Sequence, residues 1–102
     1  MRYKQAMGSG GTNKRLHVVY SGRVQGVGFR YTVCQAAEPF AVTGFIRNLW
    51  DGDVELAAEG DESELAGLLN AIRASRLRRN ITGEAVRWEP ATGEYESFGV
   101  AF

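Results

Sequence analysis

The run Gly22-Arg23-Val24-Gln25-Gly26-Val27-Gly28-Phe29-Arg30 has the composition of an anion holder. Glycine carries no Cβ, so the backbone at Gly22, Gly26 and Gly28 is free to take positive φ and turn nearby N–H groups toward one centre. A strand-like stretch, residues 16–21, leads into the run and a helix-like stretch leaves it. That order puts a helix N-terminus, with unsatisfied donors and the positive end of its dipole, at the same place. Arg30, about one turn into the helix, adds a forked and permanently charged donor. Together these groups suit a phosphoryl dianion. Asn48 both donates and accepts hydrogen bonds, so it can fix a water beside phosphorus. Phosphoryl transfer relies on positioning and charge stabilisation, and such a set needs no evident general base.

These residues require a scaffold that brings them together. Leu16, Val18 and Tyr20 alternate with His17, Val19 and Ser21, the period of a strand. Phe29, Val33, Ala36, Ala37 and Phe40 recur at helical spacing, and Pro39 ends that helix near Glu38. Residues 42–48 and 54–59 read as strands joined at the Asp51-Gly52 turn. Asp61, with Glu64 after it, has the pattern of an N-cap and its reciprocal partner. Leu65, Leu68, Leu69 and Ile72 form the stripe of a second helix, with Arg73, Arg76, Arg78 and Arg79 crowding its C-terminal end, where cations suit the dipole. Residues 81–89 predict a fourth strand, untidy around Gly83, and residues 98–102 a short closing one.

The order βαββαβ fits a ferredoxin-like α+β sandwich, a mostly antiparallel sheet with two helices on one face. A crossover helix makes the first two strands parallel, so their C-terminal ends share an edge. The glycine loop leaves one and Asn48 ends the other. Asn48 shares the parity of Gly44 and Ile46; if Ile46 faces the helices, Asn48 faces the first helix's N-terminus. One intervening strand separates the two backbones by about 10 Å.

The totals exclude several classes. The chain of 102 residues reads as one domain, 44% apolar, with a formal net charge of zero. No basic excess draws it to nucleic acid, and any anion must be held locally. Cys34 is the only cysteine, which predicts no disulfide and a reducing, cytoplasmic setting. Residues 1–14 read as a flexible leader without the apolar segment of a signal peptide, so the domain is expected over residues 15–102. No run is long enough to span a membrane. The Walker A pattern fails because no Gly-Lys-Ser/Thr follows Gly26 or Gly28, and the dinucleotide pattern fails at Tyr31. Cys34 follows Arg30 instead of sitting inside a phosphate loop, and reads as a packing residue. His17, the only histidine, lies mid-strand away from the loop and reads as a surface-face residue. No His/Asp/Glu cluster suggests a metal. Arg23 and Arg47 read as solvated charges.

Residues 21–31 (SGRVQGVGFRY) resemble the first signature of the acylphosphatases, and residues 44–55 (GFIRNLWDGDVE) resemble their second. The resemblance extends from about Arg15 to Phe102. It implies a small, cofactor-free and metal-independent hydrolase that cleaves the carboxyl–phosphate anhydride of acyl phosphates. By position, Arg30 resembles the family's phosphate-binding arginine and Asn48 its water-orienting asparagine. Arg23, Val24, Gln25, Gly26, Val27, Gly28 and Phe29 resemble its backbone phosphate cradle. Trp50 stands where proline is frequent, which predicts a changed pocket rim. Acyl phosphate and inorganic phosphate are the expected small-molecule partners of a monomer with no nucleic-acid or membrane partner. No acyl-specific recess is legible. Two alternatives remain: a carbamoyl-phosphate-handling domain of the same fold, and a non-catalytic anion- or RNA-binding module, against which the missing RNA-recognition motif counts.

Overall fold

The computed structural model describes residues 13–102. The first strand, β1 (Asn13–Gly22), is followed by helix α1 (Phe29–Ala37), the hairpin β2 (Val42–Asn48) and β3 (Val54–Asp61), and helix α2 (Glu62–Arg73). A 3-10 turn (Arg76–Asn80) then leads to β4 (Ile81–Pro90) and β5 (Phe98–Val100). The sheet order is β4-β1-β3-β2-β5. β3 runs antiparallel to both β1 and β2, so those two are parallel with one strand between them; only the β2–β5 pairing is parallel.

The alternation in β1 decides the layering. Leu16, Val18 and Tyr20 are fully buried, together with Ile46, Leu56 and Ala58 from the neighbouring strands. Against them pack Phe29, Val33 and Ala37 of α1 and Leu65, Leu68, Leu69 and Ile72 of α2, in one core. The fold is therefore the ferredoxin-like α+β sandwich that the element order predicts. The opposite sheet face is covered by ion pairs. Arg15 Nε lies 2.9 Å from Glu59 Oε2, and Glu55 accepts from Arg47 Nε at 2.6 Å with His17 Nε2 at 2.7 Å. His17 is thus on the face away from the glycine loop, in a structural pair.

Several local expectations change. β1 begins at Asn13, inside the stretch read as leader, because Asn13 and Lys14 pair with Asp61 and Gly60; the rest of that leader lies outside the described residues. β5 ends at Val100 rather than Phe102. The capping box does not form. Asp61 caps α2 by accepting from the Ser63 N–H, but Glu64 accepts from the Ala41 N–H at 2.8 Å and ties α2 to the α1–β2 turn. The arginine cluster is not one solvated helix end. Arg73 makes a two-nitrogen pair with Glu84 of β4, and Arg76 turns back toward the glycine loop, while Arg78 and Arg79 remain exposed.

Candidate active site

At the C-terminal edge of β1 and β2 the backbone breaks regularity where the glycines stand. Gly22 has φ 120°, and a Cβ there would run into the Asn80 carbonyl oxygen, so only glycine lets β1 turn out of the sheet at this point. Gly28, with φ 77°, is the N-cap of α1. It has no side chain to cap the helix, and α1 has no acidic residue in its first turn. Among the described residues, the N–H groups of residues 24–31 donate to no backbone carbonyl; the first such bond inside the helix is Thr32 N–H to Gly28 O at 3.0 Å.

Most of the residues that carry these open donors border a cavity of about 390 Å³. Val24, Gly26, Gly28 and Phe29 line it from the loop side, Arg30 from the first turn of α1, and Asn48 from the end of β2. Phe29 is held by the core, with its ring 5.2 Å from that of Tyr20, so the helix start has a fixed position. No carboxylate pairs with Arg30 among the described residues; its guanidinium lies 5.7 Å from the ring centre of Phe102. Asn48 keeps the predicted parity with buried Ile46, and its Oδ1 is buried without a hydrogen-bond partner. A buried amide oxygen without a partner is unfavourable by about 1–3 kcal/mol, so it marks a place where the fold leaves a demand for a donor. No group of three or more His, Cys, Asp or Glu suited to a metal occurs among the described residues.

Other groups of the predicted cradle tie the loop to the rest of the fold. The Arg23 N–H donates to Asn80 O at 3.0 Å and the Arg23 carbonyl accepts from Asn80 Nδ2 at 3.0 Å, so the backbone of Arg23 is not free for an anion. Gln25 does not line the cavity. Its Nε2 donates to the carbonyls of Leu49 and Asp53 at 2.7 and 2.8 Å, which fastens the loop to the hairpin that carries Asn48. Val27 also lies outside the lining, and its carbonyl accepts from Arg76 Nη2 at 3.3 Å. Arg76 Nη2 also donates to Thr32 Oγ1 at 3.0 Å. In a planar trans peptide C=O and N–H point opposite ways, so this grip on Val27 turns the Gly28 N–H away from Arg76. Sequence reasoning missed both ties, because neither Gln25 nor Arg76 carries a local signal of its distant partner.

Two further residues have defined places. Trp50 is 98% exposed and is not among the residues that border the cavity. Cys34 packs against the core as expected, and also borders the cavity, beside Tyr31, Val100 and Phe102. Burial, then the charge of Glu38, raises its pKa, which keeps it a neutral thiol and a poor nucleophile.

A sequence model of the acylphosphatase family matches residues 16–100. An acylphosphatase of Methylococcus capsulatus is 44% identical over 87 residues, which cover 85% of this chain and 95% of that protein. The crystal structure of acylphosphatase from Bacillus subtilis superimposes with a TM-score of 0.79 at 30% identity, covering 87% of this chain and 99% of that one. The structure of HypF from T. kodakarensis gives a TM-score of 0.74 at 26% identity over 87% of this chain, but only 12% of that much longer one.

Proposed function

The chain belongs to the acylphosphatase family and hydrolyses acyl phosphates, and from that premise we propose that Arg30, Asn48 and the open amides of the glycine loop carry out the reaction. The phosphoryl oxygens accept from the N–H groups of residues 24–29 and from the Arg30 guanidinium. Asn48 Oδ1 accepts a hydrogen bond from water and aims its oxygen at phosphorus. A P–O bond to water forms while the P–O bond to the acyl group breaks, the carboxylate leaves with the electron pair, and a water proton passes to a phosphoryl oxygen. A carboxylate, whose acid has a pKa of about 4, is stable without protonation, so no general acid is needed. The transition-state charge lies on the phosphoryl oxygens, where pre-oriented donors act most strongly. One chain suffices, without metal and without nucleic acid. The unpaired Cys34 supports a reducing, cytoplasmic setting, and no described helix is long and apolar enough to cross a membrane.

The observation that carries this reading is the orphaned Oδ1 of Asn48, buried on the same cavity as an arginine without a carboxylate partner. The test is hydrolysis of benzoyl phosphate in the presence of a chelator. Asn48→Ala is expected to lower kcat by about 10²–10³, with inhibition by inorganic phosphate changed by less than about threefold. Undiminished kcat in that variant removes Asn48 from the mechanism.

A further inference from the structure

Among the described residues, the exposed large apolar side chains are Tyr31, Trp50, Val86, Trp88, Val100 and Phe102, and three of these line the single cavity that holds Arg30 and Asn48. Tyr31 comes from the first turn of α1; Val100 and Phe102 come from β5 and the residues after it. Parallel pairing of β5 with β2 sets Val100 beside Ile46, and the Ala101 N–H donates to Ile46 O at 3.0 Å, which fixes where the chain emerges. Phe102 is fully exposed apart from its approach to Arg30, and Tyr31 is 67% exposed. Apolar surface gathered around one hollow, and left in water, is surface waiting to be covered.

We propose that this recess binds the acyl group of the substrate, that it selects acyl phosphates with extended alkyl or aromatic acyl groups over acetyl phosphate, and that Phe102 is its principal specificity-determining residue. The proposal rests on the reading that Arg30 holds the phosphoryl group. With phosphorus there, the carbonyl substituent starts only a few bonds away, and the ring 5.7 Å from the Arg30 guanidinium carbon is the apolar surface within its reach. The chemistry of the wall also disfavours one class. Among the described residues lining the cavity, Arg30 is the only one with a charged side chain, so once Arg30 holds the phosphoryl group, an acyl group carrying a second carboxylate brings an uncompensated charge against Val100 and Phe102.

The experiment compares kcat/KM for acetyl, butyryl and hexanoyl phosphate. Their leaving carboxylates are nearly equal in basicity, so rate differences report contact with the chain rather than intrinsic reactivity. A fully buried methylene is worth up to about fourfold and a half-buried one about twofold, so hexanoyl phosphate is expected to exceed acetyl phosphate on the order of tenfold. Phe102→Ala is expected to cut that ratio to about threefold, and Phe102→Leu to restore most of it, with inhibition by inorganic phosphate moving less than about twofold. A flat chain-length profile in the unaltered protein overturns the proposal. So does an equal fall for all three substrates in Phe102→Ala, which would make Phe102 only a support for Arg30. Self-association lost in Phe102→Ala, with the ratio unchanged, would make the patch a contact between copies and overturn it as well. Absence of turnover with every acyl phosphate would sink the underlying hydrolase reading, a result distinct from a flat profile.

Discussion

The two helices of this protein begin in opposite ways. α2 is closed by its own chain: Asp61 accepts from the Ser63 N–H at 3.0 Å, and Glu62 and Glu64 place negative charge at the positive end of the dipole. α1 begins at a glycine with no capping side chain and no acid in its first turn, and the charged residue it does place there is Arg30. A glycine in place of a capping side chain is unfavourable by only about a few tenths of a kcal/mol, and a cation at a helix N-terminus adds to that. The same contrast holds for arginines. Arg15 meets Glu59, Thr92, Glu94 and Tyr95, and Glu59, 5% exposed, also accepts from the N–H groups of Thr92 and Gly93. Arg30 has no carboxylate partner among the described residues. The fold thus saturates Arg15 and Glu59 from several sides and leaves Arg30 and the start of α1 open.

That contrast is open to experiment. The largest effect expected is at the open site: Arg30→Ala should lower kcat/KM for benzoyl phosphate by about 10³ or more, yet shift the urea-unfolding free energy by less than about 0.5 kcal/mol. A large loss of stability there would erase the distinction. Next comes the closed site. Glu59→Gln should destabilise by about 1–3 kcal/mol in the same unfolding measurement, because Arg15 and two backbone donors lose an ionised acceptor, with kcat/KM per folded molecule unchanged. The pH dependence has a defined sign. Burial raises the Glu59 pKa, but donation from Thr92, Gly93 and Arg15 outweighs it, and the net position is below the ordinary 4.5. A depressed folded pKa means that the stabilisation is fully present above the unfolded value and fades as pH falls below about 4.5. Glu59→Gln should flatten that acid limb. The smallest effect is at the capped helix, where Asp61→Ala should destabilise by about 1 kcal/mol and leave turnover unchanged.

Much of this was legible without coordinates, for physical reasons. Alternation at Leu16, Val18 and Tyr20 can bury only one face of a strand, and Pro39 cannot continue a helix from Glu38, so both elements follow from local sterics and periodicity. The parity linking Asn48 to Ile46 is likewise a property of any strand. The less legible features depend on partners far along the chain. Glu64 looks like half of a capping box, yet it bonds Ala41, because the β3–α2 junction lays it over the α1–β2 turn. Arg76 looks like a solvated helix end, yet a 3-10 turn swings it onto Val27 and Thr32. Trp50 looked like a rim residue and stands in solvent instead.

The sequence by itself determined the layered α+β order, the glycine-rich strand-to-helix turn at residues 22–30 and the edge shared by that loop and Asn48, since these depend on backbone freedom and the two-residue period of a strand. Tertiary structure alone decided which loop amides remain open, that Gln25 and Arg76 brace the loop, and that β5 brings Val100 and Phe102 to the cavity. Those outcomes turn on which distant group reaches a donor or a sheet edge, and spacing along the chain does not encode that reach.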